Sequence, residues 1–299
     1  ERRTSPFLEQ FAKQGVLFES AHSQAYGTRL STSSFMTGRY FPSLVVGYSM
    51  HYEDLLLDAP ANQEVAPSHF KKAGYRTGMV TCNLAYVRPE TLLGQAFDSV
   101  LVPKREDFGR RNPQGQAEMP FYSMRTASAS ALRWLQEEST EPFFLYIHAI
   151  DTHMPYVVPP LSPYNDWIDE DYRGQAISQY QVNNHHLSNN KVGADDIAQL
   201  LGLYDGCIRY FDDHLAQLLA RMKIMGLLEN TIVVVTSDHG ELLLEDSVQH
   251  GHGPWVGGPD FSHHIPLVMA GPGIPKGVRV AELAESVDIL PTLLDLCGI

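Results

Sequence analysis

The sequence predicts an α/β protein: a three-layer α/β/α sandwich around a mostly parallel central sheet. Three observations predict it. Helical and strand-like segments alternate along the chain, as they do when helices cover both faces of a parallel sheet. The strand-like runs are short and continuously apolar, the pattern of strands buried on both faces. Polar, chemistry-bearing residues follow several of these runs directly, at the strand ends where open α/β folds carry their sites.

The chain enters on an amphipathic helix pattern, Pro6 to Gly15, and the first strand is read at Val16 to Phe18. A hydroxyl-rich stretch, Tyr26 to Tyr40, suggests a short helix whose first turn carries Thr28 to Ser31. Asn62 to Lys72 reads as a helix stopped by Ala73-Gly74, followed by a strand at Thr77 to Thr81. Ser123 to Glu138 has apolar positions at helical spacing, and Phe143 to His148 is the next strand. Val157 to Gly193, rich in Pro, Asn, Asp and Tyr, is the least regular region and reads as an insertion near the mouth of a site. Ala194 to Met225 is the longest helix; Ile197, Leu200, Leu201, Tyr204, Ile208, Phe211 and Leu215 share one face, and Gly226 closes it. Strands follow at Ile232 to Thr236 and Pro266 to Ala270, with His263-His264 read as loop and a last helix over Ser286 to Leu296.

At 299 residues with 43% hydrophobic content, the chain can bury one large core, and no domain boundary stands out, so residues 1–299 are read as a single domain. A net charge of −13 argues against general affinity for nucleic acid or an anionic membrane surface, which need clustered Lys and Arg. Cys82, Cys207 and Cys297 are too few and too scattered for a disulfide framework or a thiolate zinc site. No apolar run reaches the ~18 residues of a membrane span.

Chemistry concentrates in four places. The run Asn230 to Thr236 leads into Ser237-Asp238-His239-Gly240-Glu241, where Asp238 and His239 offer a hard oxygen and an imidazole nitrogen to a divalent cation. The same residues also fit a turn in which Asp238 caps a helix. At the start of the hydroxyl-rich helix, open N–H groups and the helix dipole suit a tetrahedral anion in front of Thr28, whose hydroxyl needs a metal to act as nucleophile. Thr28 or Ser31 equally fits a simple helix cap. His153 follows the strand Phe143 to His148, where a lone histidine is more often structural. His250-Gly251-His252-Gly253 reads as a site lip or a polar loop.

Seven landmarks in order resemble the sulfatase family, in the alkaline phosphatase superfamily: Thr37-Gly38-Arg39-Tyr40, Ala73 to Thr77, Gly94 to Asp98, His148 to Tyr156, Tyr204 to Asp212, Asn230 to Glu241, and Ile265 to Val268 with Gly271-Pro272-Gly273. The resemblance implies an alkaline phosphatase-like fold and a metal-dependent hydrolase of sulfate or phosphate esters. Its nucleophile lies nine positions before the Thr of Thr-Gly-Arg, which is Thr28. Formylglycine sulfatases carry Cys or Ser there, then Pro or Ala two positions on and Arg four positions on; this chain has Thr28, Leu30 and Thr32, so it resembles the threonine-nucleophile variant.

The resemblance further implies Asp238, His239 and Thr28 around a divalent metal (Ca, Mn or Zn). His153 and His252 would assist catalysis, and Arg29, Asn83 and His250 would bind an anionic ester, free or carried on a glycan or lipid. It also implies that the family's first strand, with one or two acidic metal ligands, and its smaller C-terminal subdomain lie outside this sequence. Phosphodiester hydrolysis, phosphoethanolamine or phosphoglycerol transfer, and an inactive anion- or partner-binding relative are the alternatives.

Overall fold

The computed structural model describes residues 2–40, 64–106, 121–137, 139–173, 193–243, 250–251 and 260–299. In chain order its elements are α1 (Pro6–Ala12), β1 (Val16–His22), α2 (Thr28–Thr37), α3 (Ala66–Lys72), β2 (Arg76–Thr81), α4 (Leu92–Ala96), β3 (Ser99–Leu101), α5 (Met124–Leu135), β4 (Phe143–His148), α6 (Ala194–Ile224), β5 (Val233–Thr236), β6 (Leu242–Leu243), β7 (His250–Gly251), β8 (His264–Ala270), β9 (Val278–Glu285) and α7 (Ile289–Cys297).

β3, β2 and β4 form an all-parallel sheet in that order, with Thr81 of β2 opposite His148 of β4. A second, mixed sheet has the order β5-β8-β1-β9: β9 runs parallel to β1, whereas β8 runs antiparallel to both β1 and β5. Helices cover two faces, as the alternation of segments predicts. On one face α1, α5 and α6 bury Phe11, Trp134, Leu215, Leu218 and Met222 against Val80, Val235, Val268 and Ala270. On the other, α2, α3, α4 and α7 bury Phe35, Phe70, Leu93 and Leu290 against Met79 and Phe144. Met79 and Val80 are neighbours in β2 and point to opposite layers, which is why a continuously apolar run marks a strand covered on both sides.

Polar anchors set how the helices sit. The carboxylate of Asp212, buried in α6, accepts the N–H groups of Phe7 and Leu8 at 2.8 Å each and so caps α1. Asp98 accepts from the Thr77 N–H and hydroxyl, both at 2.8 Å, tying the start of β3 to β2. The irregular segment after Tyr156 lies across α6. A Cβ added at Gly202 would be 2.1 Å from Trp167 O, and one at Gly206 would be 2.2 Å from Tyr164 O. Two glycines one helical turn apart therefore let a loop backbone rest directly on the helix.

Several segments differ from expectation. β1 runs on to His22, α3 begins only at Ala66, and His264, expected in a loop, opens β8. No helix among the described residues is long and apolar enough to cross a membrane.

Candidate active site

Thr28 is the first residue of α2, preceded by Gly27 in extended conformation (φ −158°, ψ 137°) with no side-chain cap on the helix. The loop before it is closed by two hydroxyls, Ser23 and Ser31, both donating to Ala25 O. That closure turns Thr28 inward, where it is 5% exposed. The helix ends at Gly38 in the left-handed region (φ 63°), whose N–H donates to Ser34 O. Thr37-Gly38-Arg39 is thus the exit signal of the helix that carries Thr28. Arg29, next in α2, is also buried.

β5 delivers the second component. Beyond Thr236 the chain turns, Ser237 Oγ donates to His239 O at 2.7 Å, and Gly240 N–H donates to Ser262 O at 2.8 Å. His239 Nδ1 lies 2.7 Å from Gly240 O, a carbonyl that can only accept, so the ring proton is on Nδ1 and the lone pair is on Nε2. That lone pair faces Thr28 Oγ1 at 3.3 Å, across 211 residues of sequence. Asp238 Oδ1 accepts from His239 N–H at 3.1 Å, and Asp238 Oδ2 is 3.6 Å from His239 Nε2.

These three side chains meet the requirements of a cation site in part. Ligand atoms about 2.1 Å from a tetrahedral metal lie about 3.4 Å from one another, close to the observed 3.3 and 3.6 Å. A backbone carbonyl on the other ring N–H, as Gly240 O is for His239, is the usual device for aiming an imidazole lone pair at a metal. Among the described residues, no group of three or more His, Cys, Asp and Glu side chains is placed to hold a metal. The donors here are two such side chains and a hydroxyl.

β4 brings the third component. Its last residue, His148, is buried, and Tyr146 Oη lies 2.7 Å from its Nδ1. Asn83 Oδ1 accepts the N–H groups of Ala85 (3.1 Å) and Tyr86 (3.0 Å), which turns its amide nitrogen toward His148 Nε2 at 3.5 Å. With a donor facing Nε2, the His148 proton belongs on Nδ1, donated to Tyr146 Oη. Burial holds the His148 pKa down, against the pull of Asp238, while His239 and His153 lower it further. The Tyr146 hydroxyl is held well above its ordinary pKa by burial and then by the charge of Asp238.

His153, half-buried, follows in a turn closed by its own N–H on Ile150 O (3.0 Å), and its Nδ1 contacts Met154 O, leaving the lone pair on Nε2. The structure therefore brings Thr28, Asp238 and His239 together, and His148 lies near enough to Asp238, His239 and His153 for their charges to act on it. Asn83 is committed to its own turn and to His148. Of His250 only the backbone is described, in β7, and His252 lies outside the described residues.

Tyr146 and His148, read only as parts of a strand and of a landmark stretch, are the residues to which sequence reasoning gave no role. Their one signal was a tyrosine and a histidine at i and i+2, on one face of an otherwise apolar strand.

The profile described as Sulfatase matches residues 1–299, the whole chain. The chain belongs to the sulfatase family. Members of that family generally depend on a divalent metal. A curated relative named Sulfatase, from Formosa agariphila, is 24% identical over 339 residues, covering 99% of this chain and 64% of its own length. Arylsulfatase K from Bos taurus is 29% identical over 201 residues, covering 56% of this chain and 35% of its own. This sulfatase-family chain thus spans less than two thirds of either relative. Among solved structures, a phosphonate monoester hydrolase from Silicibacter pomeroyi superposes with a TM-score of 0.70 at 20% identity, over 98% of this chain and 68% of its own. That likeness identifies the fold as alkaline phosphatase-like.

Proposed function

We propose that this sulfatase-family domain belongs to a metal-dependent hydrolase of sulfate or phosphate esters, with Thr28 as nucleophile. The observation that carries the reading is the 3.3 Å approach of Thr28 Oγ1 to His239 Nε2, beside Asp238, at the end of β5. A divalent metal held by Asp238, His239 and Thr28 would lower the pKa of the hydroxyl and neutralise charge on the ester oxygens. Thr28 Oγ1, its proton released to water, attacks sulfur or phosphorus; the bond to the ester oxygen breaks, and that oxygen takes a proton from His153 in its imidazolium form or from His252. Arg29 and the open start of α2 would hold the remaining anionic oxygens, and His250 and Asn83 are proposed as further contacts of the anionic ester. Water then displaces Thr28 and returns the free hydroxyl.

A threonine in place of Cys or Ser favours direct attack by the side-chain hydroxyl over formylglycine chemistry. For this reason phosphodiester hydrolysis, or transfer of the group to an acceptor alcohol as in phosphoethanolamine and phosphoglycerol transferases, stands beside sulfate hydrolysis.

Thr28→Ala should lower turnover by roughly 10³-fold or more with an unchanged thermal melt. Full activity in that variant would remove Thr28 from the mechanism. Asp238→Ala should lose most of its bound metal by elemental analysis, and retained stoichiometry would remove Asp238 from the ligand set. Aryl sulfate, phosphate monoester, phosphodiester and phosphonate substrates assayed in parallel separate the reaction classes; activity on none of them with metal bound would favour an anion-binding relative.

A further inference from the structure

The turn that presents His153 is tied to a helix by a buried carboxylate. Asp151, the second residue of the turn Ile150 to His153, is 5% exposed and points away from solvent. Its Oδ1 and Oδ2 accept the same backbone N–H, that of Met124, at 3.0 and 2.8 Å. Met124 is the first residue of α5, a helix of 12 residues, so the carboxylate sits where helix geometry offers an open donor and a partial positive charge.

The surroundings hold that helix end rigid. Ser123 caps α5 and donates to Glu106, which also accepts from Tyr210 Oη of α6 (3.1 Å to each oxygen) and pairs with Arg125. The titratable groups around Asp151 are Glu106 before α5, Arg125 on α5, Tyr210 and His214 on α6, Cys82 after β2, and His148 and His153 on its own segment. None of the chemistry proposed above uses Asp151 directly. Yet only one residue, Thr152, separates it from His153.

We propose that Asp151 is a positioning residue for His153: its carboxylate, docked on the first N–H of α5, fixes the turn that presents the imidazole to the Thr28 pocket. The proposal rests on the reading of His153 as a substrate-side residue. A turn of four residues closed by one hydrogen bond would otherwise sample other orientations, and small misplacements of a proton donor are costly in rate. The physical cost of the tether is a buried carboxylate, which the helix end only partly offsets.

Asp151→Asn keeps the side-chain volume, leaves a single weaker amide acceptor in place of two carboxylate oxygens, and removes the charge that Asp151 carries above about pH 7, where the comparison is made. By amide hydrogen exchange, a readout that needs no substrate, the Met124 and His153 amides should exchange at least about tenfold faster than in the wild type, with Val80 in the core unchanged. With an ester that the wild type hydrolyses, kcat should fall at least about tenfold while KM stays within about twofold. The ionisation near pH 7 expected for a wild-type carboxylate raised to about 7 by burial should vanish from the kcat/KM profile. His153→Ala combined with Asp151→Asn should lose little beyond His153→Ala alone.

Unchanged exchange at both amides overturns the proposal, as does faster exchange spread evenly over the core, which would mark a merely structural residue. If His153→Ala keeps full activity while Asp151→Asn still frees the two amides, the tether stands and the reading of His153 fails. Asp151→Glu serves as a second variant if the amide does not fold: it keeps the charge, lengthens the arm, and should shift the same two amides. Failure of the glutamate variant to shift them would also overturn the proposal.

Discussion

Replacing Gly206 by alanine adds one methyl group to the interior of α6, a change that helix propensity alone favours by about 1 kcal/mol. In this fold the added Cβ would lie 2.2 Å from Tyr164 O and 3.0 Å from Val158 Cγ1. The first of these atoms is backbone, so no rotamer change relieves the overlap. Either α6 shifts or the segment from Tyr156 to Ile168 lifts. Forcing a methyl into a packed contact costs about 1–3 kcal/mol. Lifting the segment also exposes part of Tyr156 and Val158, now buried against Leu200, Leu203 and Cys207, where a fully buried apolar side chain contributes about 1.5–3 kcal/mol. After subtracting the propensity gain, the net loss is roughly 1–4 kcal/mol, or a melting temperature lower by several degrees.

Thermal melts and urea titrations test this, with the urea midpoint falling at constant slope. Gly202→Ala meets the same segment at Trp167 O, 2.1 Å away, so the double variant should lose less than the sum of the two. Turnover should fall as well, because the lifted segment continues directly from His153. Equal or higher stability in Gly206→Ala, or strict additivity in the pair, would refute the picture of a loop seated on a glycine groove.

Two further predictions concern buried ionisable groups. The Asp151 carboxyl is raised to about 7, chiefly by burial, so the folded state holds its proton at pH values where the unfolded chain has released it. Its contribution to stability is therefore fully present below the unfolded pKa near 4 and is lost as pH rises through about 7. The wild-type stability minus that of Asp151→Asn, from urea melts across this range, should decline with rising pH; a flat or rising difference contradicts the assignment. Tyr146→Phe removes the acceptor for His148 Nδ1–H and leaves a buried donor without it, costing about 1–3 kcal/mol. Nitrogen NMR of the imidazole should then show the proton shared with or moved to Nε2, and an unchanged Nδ1–H spectrum would mean the tautomer is set elsewhere.

Burial on both faces made β2, β4, β5 and β8 legible, since a run such as Val233-Val234-Val235 has no other economical place in an α/β fold. β9 carries no such mark. Val278 to Glu285 alternates valine, alanine and leucine with Arg and Glu, is largely exposed, and exists as a strand because β1 pairs with it in parallel. The ordered landmarks were legible for a different reason than chemistry. Thr77 and Asp98 bind each other, Asp212 caps α1, Gly206 seats a loop and Gly38 ends α2, so four of the seven landmark stretches include residues that perform packing work.

The fold brings Thr28 to His239 across 211 positions, a meeting no local pattern encodes. His148 was given no role on the same principle. At the end of an apolar strand an imidazole looks like any strand terminus, and only Asn83 and Tyr146, from 65 and 2 positions away, define its tautomer and its face. The motif order of such a chain therefore encodes the scaffold more directly than the chemistry.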